Sequence, residues 1–300
     1  MSERDSLRSF LFEEFPIRGE VVHLDASWRE ALSRHQYPEP LRNLLGEMMA
    51  AATLLTGTLK FDGMLTMQLQ GDGLVTLAVV ECTSQRKLRG LVRWREGVEK
   101  EIENSSWSEL VGTGRMAITL EQGKSGERYQ GIVDLSGDSL TEALEHYLER
   151  SEQLETRLWL SANESSAAGM LVQRMPATVS VTDEEPDADA WSRVTQLAQT
   201  ITPEELTGLD AETIIHRLFH EETVRLFDLE PVEFRCSCSR ERVQSTLRML
   251  GLDEMHGVLE EQGKVSVDCE FCNQHYEFDS VDIEALFAAA IITKPGQTRH

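Results

Sequence analysis

Four of the chain's five cysteines lie in its last quarter, as Cys236-Ser237-Cys238 and, after 30 intervening residues, Cys269-Glu270-Phe271-Cys272. Thiolates are soft ligands, and two close pairs supply the four sulfurs of a tetrahedral zinc centre without stretching the backbone. The same thiols are also able to close short-range disulfides. Oxidation of a pair consumes the lone pairs that hold a metal, so metal binding and redox state are coupled. The one-residue spacing of the first pair is less usual than two in a structural zinc site, and Cys269 and Cys272 have the spacing of thiol–disulfide motifs. One Zn2+ bound by Cys236, Cys238, Cys269 and Cys272 is the expectation. His275, three residues past Cys272, is a possible replacement ligand but reads better as a surface or ligand-orienting histidine. Arg235, Arg240 and Arg242 flank the first pair and are expected to offset the two excess negative charges of a four-thiolate centre. Cys82 sits in an apolar strand and reads as a small buried hydrophobe.

The elements that must position these sulfurs are short. Ser239 is placed to cap a helix with Val243, Leu247 and Leu250 on its inner face, stopped by Gly251. A shorter helix after Asp253 carries Met255, Val258 and Leu259 and ends near Gly263. Lys264 to Cys269 alternates as a strand, turns through Glu270-Phe271 and returns as His275 to Phe278. Each cysteine pair therefore occupies its own turn, with helices between.

Upstream, residues 1–178 read as one mixed domain. Leu44, Leu45, Met48, Ala52 and Leu55 predict a helix over Leu41 to Lys60, and Ser139 to Arg150 predicts another. Strands are predicted at Leu65 to Gln70, Leu74 to Glu81, Arg89 to Trp94, Met116 to Leu120 and Tyr129 to Leu135. Strands and helices come in separate runs, which predicts α+β and not a doubly wound sheet. Residues 179–231 form an acidic helical linker: 181–230 holds 13 acidic residues against Arg193, Arg217 and Arg225. A stripe of Trp191, Val194, Leu197, Ile201, Leu206, Leu209, Ile214, Ile215, Leu218 and Phe219 runs beneath that charge, as in helices that dock but are weakly held. An ordinary acidic connector is the plainer reading of the same composition. Residues 232–300 make the small C-terminal zinc module.

Composition bounds the function. The 300 residues carry 29 Lys and Arg against 52 Asp and Glu, a net charge of −23, which disfavours nucleic acid and anionic membranes as partners. The opening Met1-Ser2-Glu3-Arg4-Asp5 is charged and lacks a secretory pattern, so a cytoplasmic protein is expected. The apolar run Leu41 to Leu59 contains Arg42 and Glu47, which marks a buried helix and no membrane span. A reducing compartment favours metal or redox chemistry over standing disulfides.

Together, Cys236-Ser237-Cys238-Ser239-Arg240-Glu241-Arg242, Cys269-Glu270-Phe271-Cys272 with His275-Tyr276, Arg217-Leu218-Phe219-His220-Glu221-Glu222, the Gln68 to Gly73 turn, Gly126 to Gly131 and Arg150 to Leu154 resemble the 33 kDa chaperonin family, redox-regulated heat-shock holdases of bacteria. The resemblance runs from Leu11-Phe12-Glu13 to the end of the cysteine module. Asn273 departs from it, standing where many members have glycine. The resemblance implies an ATP-independent chaperone, inactive when reduced and zinc-bound. Peroxide with unfolding stress, or hypochlorous acid, is then expected to join Cys269 to Cys272 and Cys236 to Cys238, eject zinc and release the linker. The active form is expected to be a homodimer that binds unfolding client proteins.

No enzyme site is expected. Gly71-Asp72-Gly73 and Gly112-Thr113-Gly114 lack the lysine and strand-to-helix context of a nucleotide loop and read as turns. His216 and His220 lack the framing of a metalloprotease helix and are expected to face solvent. Two rival readings remain beside the holdase: a zinc module that binds nucleic acid or the ribosome, and a thiol-disulfide oxidoreductase using Cys269 and Cys272.

Overall fold

The computed structural model describes residues 4–123, 126–151, 153–176, 187 and 189–292. The acidic run Asp183 to Glu185 lies outside the described residues. The chain divides into two compact units, Met1–Arg235 and Cys236–His300.

The first unit opens with a hairpin of β1 (Ser6–Phe12) and β2 (Ile17–Leu24), then α1 (Ala26–Leu32) and α2 (Glu39–Thr58). Next come β3 (Gly63–Gln70), β4 (Val75–Thr83), β5 (Lys87–Trp94), the short α3 (Glu99–Ile102) and α4 (Trp107–Val111), β6 (Arg115–Gln122) and β7 (Arg128–Asp134). After α5 (Leu140–Ser151), β8 (Thr156–Ala162) and β9 (Ala167–Arg174) lead to α6 (Ala190–Ala198), α7 (Pro203–Gly208), α8 (Ala211–Phe219), β10 (Val224–Pro231) and β11 (Glu233–Phe234). A five-stranded antiparallel sheet has the order β10-β1-β2-β9-β8. A six-stranded sheet has the order β11-β5-β4-β3-β6-β7, antiparallel except where β11 joins β5.

The helix predicted from the Leu44 to Leu55 spacing is α2, and it touches strands of both sheets. Leu41, Leu44, Leu45, Met48, Met49, Leu54 and Leu55 are all buried, so the helix belongs in a core, with Arg42, Asn43 and Glu47 partly exposed. Gly46 permits close approach to β8: a Cβ there would lie 2.4 Å from that of Ala162. No helix among the described residues is long and apolar enough to cross a membrane.

Six strands escaped the sequence reading, β1, β2, β8, β9, β10 and β11. Seven of the eight residues of β9 are buried, so it lacks the alternation that marks a half-buried strand. Both faces of its sheet are covered. Leu7, Val22, Leu24 and Leu171 face the α2 core, while Phe10, Phe12, Val21, Met170 and Val172 face a second cluster. That second cluster is completed by Val194, Leu206, Ile214, Ile215, Leu218 and Phe219 of α6, α7 and α8, with Trp191, Leu197, Ile201 and Leu209 partly buried. The apolar stripe of the acidic segment therefore closes over a sheet face. Phe219 packs edge-on against Phe12 with ring centroids 5.1 Å apart. The segment's three arginines are all paired: Arg193 with Asp187 and Glu222, Arg217 with Glu205, Arg225 with Glu13. It is not wholly helical, because Val224–Pro231 pairs with β1 as an edge strand. Residues 232–235 also fall in the first unit, where β11 pairs with β5 and the Arg235 amide donates to the Leu88 carbonyl.

The two glycine turns are indeed turns, and they interlock. Asp72 accepts from the Thr113 amide at 2.6 Å and from its hydroxyl at 2.7 Å. A Cβ on Gly73 would lie 2.4 Å from the Leu110 carbonyl oxygen.

The second unit contains α9 (Arg240–Leu250), α10 (Leu252–Gln262), the hairpin of β12 (Val265–Asp268) and β13 (His275–Phe278), and α11 (Ser280–Ile292). Its core is Leu247, Met255, Val265, Phe278, Ile283 and Leu286. Leu250, expected on the inner face of α9, is 58% exposed. Gly251, at φ +97°, turns the chain directly into α10, and Leu252 packs on the core instead.

Candidate metal centre

Cys236 and Cys238 lie in the loop leading into α9. Ser239 caps that helix, its hydroxyl accepting from the Arg242 amide at 3.3 Å. Cys269 and Cys272 occupy the turn between β12 and β13. The Cys269 amide donates to the Gln274 carbonyl at 3.0 Å, and the Cys272 and Asn273 amides both donate to the Cys269 carbonyl, at 3.2 and 2.6 Å. Asn273 adopts φ +52°, a left-handed conformation open to glycine and tolerated by asparagine.

These turns bring the four sulfurs together. Cys236 Sγ is 3.6 Å from Cys269 Sγ, Cys238 Sγ is 3.4 Å from Cys272 Sγ, and all four lie within 4.8 Å of one another. A tetrahedron with metal–sulfur bonds of about 2.3 Å has edges of roughly 3.8 Å, so the donor set fits a zinc-sized ion. Cys272 is buried and the other three are half-buried. Burial pushes the Cys272 thiol well above its ordinary range, and contact with the neighbouring sulfurs adds to this. Cys269 is raised for the same first reason, partly relieved by the Cys272 and Phe271 amides that donate to it. Sulfurs so placed disfavour charge unless a cation is among them, and a divalent ion inverts that preference.

Around the sulfurs the structure refines the expectations. Tyr276 Oη donates to Cys238 Sγ at 3.2 Å, a contact the sequence reading missed although the tyrosine stands four residues past Cys272. That donation, with desolvation, raises the phenol above its ordinary range. His275 is outside the sulfur cluster, at the surface, with Nδ1 2.6 Å from Asp268 and Nε2 3.1 Å from Glu277. Those carboxylates, Asp268 first, raise its pKa. The flanking arginines each have a partner of their own. Arg240 pairs with Asp282 at 2.8 Å and lies over the Phe278 ring, and Arg235 pairs with Glu233 at 3.4 Å. Arg242 does reach the cysteine loop, donating to Ser237 Oγ at 2.6 Å.

Cys82 is fully buried in β4, 3.5 Å from Thr56 Oγ1, and burial raises its thiol. His216 and His220 are exposed, and among the described residues they belong to no metal-ligand cluster.

The model of the Hsp33 protein family matches residues 5–279. A 33 kDa chaperonin of Pseudomonas savastanoi pv. phaseolicola is 47% identical over 301 residues, covering 100% of this chain and 99% of that protein. A 33 kDa chaperonin of Pseudomonas aeruginosa is 48% identical over 301 residues, covering 100% of each. The crystal structure of the 33 kDa chaperonin of Thermotoga maritima has the same fold, with a TM-score of 0.79 at 20% identity over 96% of this chain and 100% of that one. Similarity across the full length, with four sulfurs gathered from two remote turns, leads to one conclusion: the chain belongs to the Hsp33 family of chaperones.

Proposed function

We propose that this chain is an ATP-independent holdase gated by the redox state of Cys236, Cys238, Cys269 and Cys272. One observation carries the reading: four thiols from two turns 30 residues apart meet within 4.8 Å, in a unit whose buried core has six side chains among the described residues. So small a core needs a staple. Zinc, when bound, supplies that staple by joining both turns through four thiolates.

Each cysteine pair reacts with peroxide in a balanced step. Two thiols lose two electrons and two protons as the S–S bond forms, and the peroxide O–O bond breaks to give two waters. The pairs are Cys236 with Cys238 and Cys269 with Cys272. Disulfide sulfurs no longer offer thiolate donors, so module 232–300 loses its tie and unfolds. The linker 179–231 follows. Release of α6, α7 and α8 from core domain 1–178 bares Trp191, Leu197, Leu218 and Phe219, and the sheet face with Phe10 and Phe12, to unfolding client proteins. The net charge of −23 keeps such an opened chain in solution and offers nothing to nucleic acid or anionic lipid. The oxidised form works as a homodimer in the cytoplasm, without catalytic turnover.

The test follows zinc release with a chromogenic chelator while peroxide is added to the reduced, zinc-loaded chain at elevated temperature. Suppression of aggregation of a heat-labile enzyme is measured in parallel, and both signals are expected to rise together. Chaperone activity with zinc retained overturns the gate. Multiple-turnover disulfide exchange through Cys269 and Cys272 would point to an oxidoreductase, and nucleic-acid binding by the reduced chain to a structural zinc module.

A further inference from the structure

Residues 230–235 leave the first unit immediately before Cys236, and two turns of the core hold them. The Val232 amide donates to the Asp5 carbonyl at 2.8 Å, and the next amide, that of Glu233, donates to the Arg86 carbonyl at 3.0 Å. Both acceptors are left-handed, Asp5 at φ +66° and Arg86 at φ +60°, a conformation that residues with a side chain keep only when their surroundings impose it. In each the side chain supplies the hold. The Asp5 carboxylate accepts from the amides of Asp25, Ala26 and Ser27 at 2.8 to 2.9 Å, at the start of α1. The Arg86 side chain is 9% exposed; Nη1 donates to the Thr56 and Ser84 carbonyls, both at 3.2 Å, and Nη2 lies 3.0 Å from Glu230 Oε2. Glu20, the other carboxyl near Arg86, is driven towards its neutral form by burial, so the anion that meets the guanidinium comes from the departing segment itself. Val232 is buried against the α2 core, and the Arg235 amide donates to the Leu88 carbonyl at 2.9 Å.

Resting on the thiol-gate reading above, we propose that Asp5 and Arg86 form a latch on residues 230–233 that keeps β10 and the helices before it seated until the cysteine unit unfolds. Unfolding of that unit makes Arg235 the last fixed point of a loose chain, and such ends fray residue by residue. The latch interrupts the fraying, because Arg86 holds the segment twice, through its carbonyl to Glu233 and through its guanidinium to Glu230. Parting Glu230 leaves a buried guanidinium without its anion, so the two holds open together. Release therefore goes as one step. Beyond it lie Pro231, Glu230 and Leu229, paired with Ser6, Leu7 and Arg8 of β1. Asp5 directly precedes that pairing. An open latch thus frees the end of an edge strand that has no buried residue, and β10 peels from β1 towards α8.

Hydrogen exchange is followed on the reduced, zinc-loaded full-length chain, with zinc content measured on the same samples. Glu230→Gln removes the anion and keeps the side chain's size. It is expected to speed exchange at the Val232 and Glu233 amides and along β10 by roughly fivefold, as fits an ion pair with one exposed end, while β2, β9 and α9 exchange at the wild-type rate. Arg86→Lys keeps the charge but cannot serve Thr56, Ser84 and Glu230 together, and is expected to speed the same amides further. Asp228→Asn removes an equal charge from an exposed site on β10 and is expected to leave exchange at Val232 and Glu233 unchanged. Under peroxide and mild heat, aggregation of a heat-labile enzyme is expected to be suppressed sooner with Glu230→Gln than with Asp228→Asn. Equal exchange at Val232 and Glu233 in those two variants reduces the pair to surface charge and overturns the latch with the gate intact. Faster exchange that leaves the onset of chaperone activity unmoved overturns it as well. A wild-type chain that suppresses aggregation with its zinc retained removes the gate itself, and the latch loses its role with it.

Discussion

Burial acts alike on the thiols of Cys269 and Cys272 and on the carboxyl of Glu20: in each case the charged form is disfavoured. At the sulfurs a divalent ion reverses that preference. At Glu20, 3% exposed, burial raises the carboxyl from 4.5 to about 8 against the attraction of Arg18 and Arg86, and Glu230 pushes the same way as burial. The carboxylate lies so close over Gly57 that a Cβ there would meet its oxygens, which makes relaxation costly. In the unfolded chain Glu20 releases its proton near pH 4.5, while the folded chain keeps it to about pH 8. The native state therefore binds more protons across that window. Stability falls as pH rises through it, by at most about 1.4 kcal/mol per pH unit from this one group. Thermal melts of the reduced chain between pH 5 and 8 should show the decline, to which Glu47, raised to about 7 by burial, adds with the same sign, and Glu20→Gln should make it shallower. An unchanged slope would mean that the carboxyl is ionised in the folded chain.

At the scale of elements, the hairpin β12–β13 depends on how its turn is closed. Asn273, at φ +52°, accepts a conformation that costs an ordinary L residue about 1–2 kcal/mol. Asn273→Gly should leave the turn intact and hold or slightly raise the melting temperature of the zinc-loaded chain. Asn273→Val should cost about 1–2 kcal/mol and weaken competition against a zinc chelator, because Cys269 and Cys272 are spaced by that turn. Equal chelator competition in both variants would show that the turn does not set the geometry of the sulfurs.

For the whole molecule, the two units rest on different physics. The first has two large apolar clusters, one on each face of the β1–β2–β9 layer. The second has a core of six apolar side chains among the described residues, and a structural metal contributes on the order of 10 kcal/mol of folding free energy to modules of that kind. Chelation under reducing conditions should therefore remove hydrogen-exchange protection from α9, α10 and β12–β13, while β1 to β9 of the first unit keep theirs. Protection in α9 unaffected by chelation would show that the second unit stands without metal.

The sulfur quartet, the Ser239 cap, the Gly251 and Gly263 stops, the β12–β13 hairpin and α2 were legible in the chain because each is encoded by neighbours: spacing, a capping hydroxyl, a 3.6-residue or two-residue period. Strands β2 and β9 were not, since burial on both faces erases the alternation by which a strand is read. Leu250 was misplaced because the path after Gly251, and not the helix period, decides what the last turn of α9 meets. The sequence by itself determined which four sulfurs offer themselves to a metal. Only the tertiary structure decided that Tyr276 reaches Cys238, that Arg240 turns to Asp282, and that the acidic helices seal a sheet face, because those contacts join residues whose separation along the chain carries no local signal.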